Sequence, residues 1–124
     1  MPRLTVLSTG SHRTIEDPQP EDVITAIATL DGSGEIELDH PGVAWLGVAG
    51  GPWRFFVGCS LDEDGTIQQV RNMDPLEGAA EFVVGGQPTT LASDYLIPLE
   101  VATAAALYFL RKGAADPSIT WDRM

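Results

Sequence analysis

Residues 34–61 read GEIELDHPGVAWLGVAGGPWRFFVGCSL. From Glu35 to Asp39 apolar and acidic residues alternate strictly. On an extended chain Ile36 and Leu38 therefore face a core, and Glu35, Glu37 and Asp39 line the opposite face. His40-Pro41-Gly42 breaks the run. Val43 to Ala49 and Trp53 to Leu61 are two further apolar stretches, and Gly50-Gly51-Pro52 between them is the turn chemistry that joins adjacent antiparallel strands. Together these segments predict consecutive antiparallel strands with one face on a core and the other carrying carboxylates.

On the N-terminal side, Pro20-Glu21-Asp22 opens a helical pattern with acidic residues in its first turn. Val23, Ile24, Ile27 and Leu30 recur at helical spacing, and Asp31-Gly32 ends the stripe. Before it, Ser8 to Pro20 is rich in Gly, Ser, Pro and charge and is expected to be a loop, while Arg3 to Leu7 is expected to be an edge strand. On the C-terminal side, Asp62-Glu63-Asp64-Gly65 forms a tight turn. Thr66 to Met73 returns as a strand whose Gln68 and Gln69 suggest exposure, and Asp74-Pro75 ends it. Ala79 to Val84 is a short strand closed by Gly85-Gly86, and Gln87 to Tyr95 is loop or irregular strand. Pro98 and Glu100 start a second helix, Val101 to Leu110 is nearly all alanine and larger apolar residues, and Arg111, Lys112 and Gly113 close it. A last strand is expected at Ile119-Thr120-Trp121. These elements predict one α+β domain over residues 1–124, an antiparallel sheet of about five to seven strands with two helices packed on it.

Charge narrows the function. With 18 Asp and Glu against 7 Lys and Arg, the 124-residue chain carries a net −11. A protein this anionic repels phosphate backbones, which argues against nucleic acid as a partner, and attracts basic surfaces. The longest apolar stretch, Val101 to Leu110, is about half of the ~20 residues that cross a bilayer. The N-terminal apolar run is too short for a signal peptide, so the chain reads as cytoplasmic with no membrane partner. Cys59, the single cysteine, has no partner for a disulfide or a metal pair and is expected to act as a small buried hydrophobe.

Few residues could carry catalysis. His12 lies in a Gly/Ser-rich stretch and His40 before a Pro-Gly turn, both expected to be solvated turn positions. Ser60, Asp62, Asp64 and Gly65 fit the start of a calcium loop. Arg71, however, stands where that loop needs a bidentate glutamate. No metal site, cofactor or catalytic group is expected. The acidic residues are the best candidates for function. Successive side chains on one face of a strand stand ~6.5 to 7 Å apart, so Glu35, Glu37 and Asp39 form a carboxylate row able to dock on a basic cleft. An ordinary solvated strand face would look the same. Asp62, Glu63 and Asp64 add charge in the following turn. Among the aromatics, alternation puts Trp53 and Phe55 on one face and Phe56 on the other. Trp53, if exposed beside the carboxylates, is a candidate interface anchor.

The C-terminal block, Ile97-Pro98-Leu99-Glu100-Val101-Ala102, then Ala105, Phe109-Leu110, Gly113, Pro117 and Ile119-Thr120-Trp121, resembles the end of the immunity proteins of the first numbered family of bacterial polymorphic toxin systems. That family is commonly encoded beside deaminase-type toxins. The resemblance implies a non-catalytic protein that binds a cognate toxin domain, a deaminase of nucleic acids or nucleotides or else a nuclease, and occludes its active site. The contacts expected on this chain are Glu35, Glu37, Asp39, Trp53, Asp62, Glu63 and Asp64. Two rival readings are a small-molecule-binding or regulatory α+β domain with a pocket lined by Trp45, Trp53 and Phe55, and an enzyme in which His12 or His40 meets a carboxylate in a cleft. Oligomeric state is left open by the sequence.

Overall fold

The chain folds in order as β1 (Arg3–Ser8), β2 (Ser11–Glu16), α1 (Pro20–Ala28), β3 (Glu35–His40), β4 (Ala44–Gly50), β5 (Phe55–Ser60), β6 (Ile67–Val70), β7 (Ala79–Val84), β8 (Gln87–Ala92), a short 3-10 turn, α2 (Leu99–Lys112) and β9 (Trp121–Arg123). The structure is a computed structural model and describes residues 2–8, 11–40, 44–61, 66–73, 79–84 and 87–123. Seven strands form one antiparallel sheet in the order β2-β1-β3-β4-β5-β6-β9, and β7 and β8 pair as a separate ribbon. The α+β class with two helices on an antiparallel sheet is as expected. β7 lies against β4, while α2 packs on α1 and across β3, β4 and β5.

Register follows from the period-two pattern. Leu4, Leu38, Leu46 and Cys59 stand side by side across β1, β3, β4 and β5, and Val6, Ile36, Val48 and Val57 form the next row. All of these except the half-buried Val6 are fully buried. On this floor sit Val23, Ala26 and Ile27 of α1 and Ala102, Ala105, Ala106, Phe109 and Leu110 of α2. Three of the five α2 residues are alanine, and side chains this small let the helix lie close to the sheet. Cys59 is buried within the core, which pushes its thiol up to about 11 and leaves it without thiolate character at neutral pH.

The helix ends are built as the sequence implies. Asp22 accepts a hydrogen bond from the Gln19 backbone N–H at 2.8 Å, closing the entry to α1. At the other end of the fold, α2 stops at Gly113, which is left-handed with φ 63° and donates its N–H to the Phe109 carbonyl at 2.8 Å. The same carbonyl is 2.9 Å from Nε2 of His40, whose ring also meets the Phe109 ring edge-on at 5.2 Å. His40 is therefore a cap that ties the end of β3 to the end of α2, not a solvated turn residue. Gly51, at φ 92°, lets the β4–β5 turn pass so close to the end of α1 that a Cβ there would collide with the Leu30 carbonyl.

Several expectations are corrected. Ser8 to Pro20 is not a loop, because Ser11–Glu16 forms β2, paired along β1 and anchored by an Arg3–Glu16 ion pair at 2.9 Å. Its side chains are almost all exposed, so it carries no alternation to read. β1 is accordingly an inner strand. Ile24 lies off the buried stripe of α1 and is 42% exposed. Trp53 lies in the β4–β5 turn, outside β5. Gln69 is buried, because β9 pairs beyond β6 and closes it in between Gly58 and Asp122. Gln87–Ala92 is a regular strand, and the last strand begins at Trp121.

His40→Ala removes the hydrogen-bond donor to the Phe109 carbonyl and one ring contact from α2 and should lower stability by about 1–2 kcal/mol. Gly113→Ala, forced left-handed, should cost about 1 kcal/mol. Both are read as shifts of the urea midpoint at constant m-value.

Candidate partner-binding site

Burial of Ile36 and Leu38 commits the other face of β3 to Glu35, Glu37 and Asp39, and all three carboxylates are half-buried on that outer face. Across β1 they stand beside Leu7, Thr5 and Arg3, and across β4 beside Ala49, Gly47 and Trp45. The guanidinium of Arg3, next to Asp39, is engaged by Glu16. No ion pair joins Glu35, Glu37 or Asp39 to any described residue. The row is thus a set of negative charges held together without a neutralising partner.

Glu37, in the middle, feels this most. Burial raises its carboxyl above the usual glutamate range, and the like charges of Asp39 and Glu35 on either side raise it further. Beyond it the outer face flattens, since Gly47 and Gly58 are direct cross-strand neighbours. A Cβ on Gly47 would sit 3.7 Å from the Trp45 ring, and one on Gly58 would sit 3.4 Å from the Phe56 ring. Each aromatic ring lies beside the glycine two residues along its own strand, at ordinary packing distance from where a Cβ would stand. Trp45 is half-buried there, Phe55 is fully buried on β5, and Trp53 is 85% exposed in its turn. The three residues expected to share a pocket therefore occupy three separate places.

The turn that carries Trp53 leaves β4 beyond Ala49, the cross-strand neighbour of Glu35, so Trp53 follows from the Glu35 end of the carboxylate row, away from Asp39. Asp62, Glu63 and Asp64 lie outside the described residues, as do parts of the calcium-like loop. β5 and β6, which flank that segment, pair antiparallel with Ser60 opposite Ile67. His12 is exposed on β2 opposite Leu7, at the Glu35 end of the sheet, whereas His40 is at the other end. They do not converge on one site. Among the described residues no group of three His, Cys, Asp or Glu side chains could hold a metal ion, and no helix is long and apolar enough to cross a membrane.

Sequence reasoning missed Arg54. It lines a cleft of about 310 Å³ with Trp53, Asn72, Ser93, Leu96, Ile97 and Pro98. The cleft forms because Phe55 and Ile97 exchange both backbone hydrogen bonds at 2.9 Å, bringing the approach to α2 against the start of β5. A lone cation beside a tryptophan in a turn was the available signal, and only long-range pairing reveals the walls.

The C-terminal motif residues serve the scaffold. Pro98 caps α2, Gly113 ends it, and Trp121 donates from Nε1 to the Asp116 carbonyl at 3.0 Å while pairing with Val70. Asp122 accepts from Arg71 at 3.0 Å and from the Tyr95 hydroxyl at 3.2 Å, fastening β9 to the rest of the fold. Comparison with known proteins finds no match among curated proteins. The family described as Immunity protein Imm1 matches residues 11–123, from β2 to the end of β9. That match spans nearly the whole chain and contains every element that builds the carboxylate face except β1, so this protein belongs to the Immunity protein Imm1 family and is a toxin-neutralising immunity protein.

Proposed function

We propose that the chain neutralises its toxin by laying the Glu35, Glu37 and Asp39 face over a basic cleft of the toxin domain, with further contacts from Trp53 and from Asp62, Glu63 and Asp64. The observation that carries this reading is the unneutralised carboxylate row, in which Glu37 is held above its usual range by burial and like charge. A structure serving only its own stability has no use for three mutually repelling acids between two inner strands. A cation from a partner relieves that repulsion, and the relief appears as binding energy. The toxin that fits is one acting on nucleic acids or nucleotides, a deaminase or a nuclease, because such proteins present basic clefts to phosphate-bearing substrates. Neutralisation is then occlusion: opposite charge speeds encounter, and the seated sheet face excludes substrate without turnover.

The test is co-expression with a toxin domain encoded by a neighbouring gene, scored by growth and by co-purification. Association should weaken with added salt. Glu37→Lys and Asp64→Lys should each raise Kd by about 10- to 100-fold. Unchanged Kd in both variants would remove this face from the interface.

Glu37 also predicts a trade of stability against binding. Its raised carboxyl means that the folded state holds the proton more tightly than the unfolded chain does. Ionised Glu37 therefore destabilises the free fold above the raised value, and that penalty fades as pH falls through it toward the ordinary glutamate range. Glu37→Gln should raise the Tm of the free protein at neutral pH and weaken the complex. The Tm difference from wild type should close on acidification, as thermal melts across pH will show.

A further inference from the structure

Outside the carboxylate face, the described residues hold one cation whose position calls for an explanation. Arg3 and Arg71 are paired with Glu16 and Asp122. Arg13, Arg111, Lys112 and Arg123 are exposed to water. Arg54 is neither. Its residue is half-buried, its Nη1 is shut off from solvent, and that nitrogen has no hydrogen-bond partner. A chain with 18 carboxylates could supply one to this guanidinium, yet among the described residues no ion pair to it forms. Leaving a donor and part of a cationic charge under-solvated costs stability unless something outside the chain compensates.

The surroundings say what kind of compensation fits. Arg54 forms part of the wall of the cleft of about 310 Å³ between the β4–β5 turn and the approach to α2. The rim is apolar and open. Trp53 is 85% exposed, Met73, beside the lining residue Asn72, is 73% exposed, and Leu99, beside the lining residue Pro98, is 38% exposed. Of the four large hydrophobic residues exposed among the described ones, Trp53 lines the cleft, Met73 and Leu99 each follow a lining residue in the chain, and the fourth, Ile24, lies on α1. An arginine with an unpartnered, solvent-shielded nitrogen, sharing a cleft with an exposed tryptophan and with Leu96, Ile97 and Pro98, has the composition of a protein–protein hot spot.

We propose that this cleft receives a segment of the toxin that presents an Asp or Glu carboxylate beside an apolar side chain, the carboxylate on the Arg54 guanidinium and the apolar group against Trp53. The inference rests on the reading of the chain as a toxin-binding protein, but not on the carboxylate face being the contact. The two sites have opposite polarity. Used together, an acidic row meeting basic toxin residues and a basic cleft meeting an acidic one fix a single orientation, because turning the partner around would bring like charges together at both places. A basic cleft on the toxin opposite Arg54 would be repelled, so the occupant here differs in charge from the one at Glu37.

The experiment uses the full chain and a catalytically inactive form of the toxin domain that the wild-type chain neutralises in the co-expression test. Kd is measured for wild type, Arg54→Met, Arg54→Glu and Trp53→Ala, and Tm is measured for each free protein. Arg54→Met keeps the apolar stem and removes the charge. The expected result is a rise in Kd of about 30-fold or more, with the free Tm unchanged or raised, since an uncompensated charge is gone. Arg54→Glu should weaken binding further, and Trp53→Ala about 10-fold or more. An arginine that merely supports the fold would lower Tm in the Met variant and leave Kd unchanged, which overturns the inference. Loss of binding in Glu37→Lys with no change in either Arg54 variant also overturns it and leaves the acidic-face reading standing. Failure of the wild-type chain to bind the toxin at all would overturn both.

Discussion

Ile36 and Leu38 are driven out of water onto one side of β3, each with no exposed surface, and the pleat sends their neighbours to the other side. Everything else on the sheet answers to that constraint. Because the side-chain period of a strand is two, β3 slipped by one residue would bury Glu35, Glu37 and Asp39 in the core and put Ile36 and Leu38 in solvent. The register with Leu4 and Val6 on one flank and Leu46 and Val48 on the other is fixed by the same requirement. The apolar rows and the carboxylate row are therefore a single decision seen from two sides. No local rearrangement can disperse the charges while the core stays intact.

The helices then close the apolar side. Phe109 is the largest α2 residue with no exposed surface, and its carbonyl is the meeting point of the Gly113 cap and the His40 ring. One residue thus joins core packing to helix termination and to the end of the strand that carries the acids. The C-terminal block is intelligible in these terms. Pro98, Gly113 and Trp121 stop and start elements, so their part in this chain is to build the scaffold.

How much of this could be read beforehand depended on whether an element's own residues announced its surroundings. β3, the β4–β5 hairpin and α2 did so, through alternation, glycine-proline turn chemistry and helix punctuation. β2 did not. Ser11, His12, Arg13 and Thr14 are all exposed, and the strand exists because β1 offers it a hydrogen-bonding edge. Glu35, Glu37 and Asp39 could be placed on one face from spacing alone, whereas the charge state of Glu37 required knowing how deeply its neighbours bury it. Trp53 was legible as a large aromatic and illegible in position, since the turn could not be told from the strand it precedes. Arg54 was invisible for a related reason: its surroundings come from segments about twenty and forty residues further along the chain.

The two borders of the sheet also carry a consequence. β2 presents side chains that are polar or charged at all but one position, and β9 is three residues long. A free border of backbone N–H and C=O groups invites another copy to add on, and fibres grow when that border is long and greasy. Here one border is too hydrophilic and the other too brief to template such growth. Strand addition at either border of the seven-stranded sheet is therefore disfavoured by the sheet's own ends.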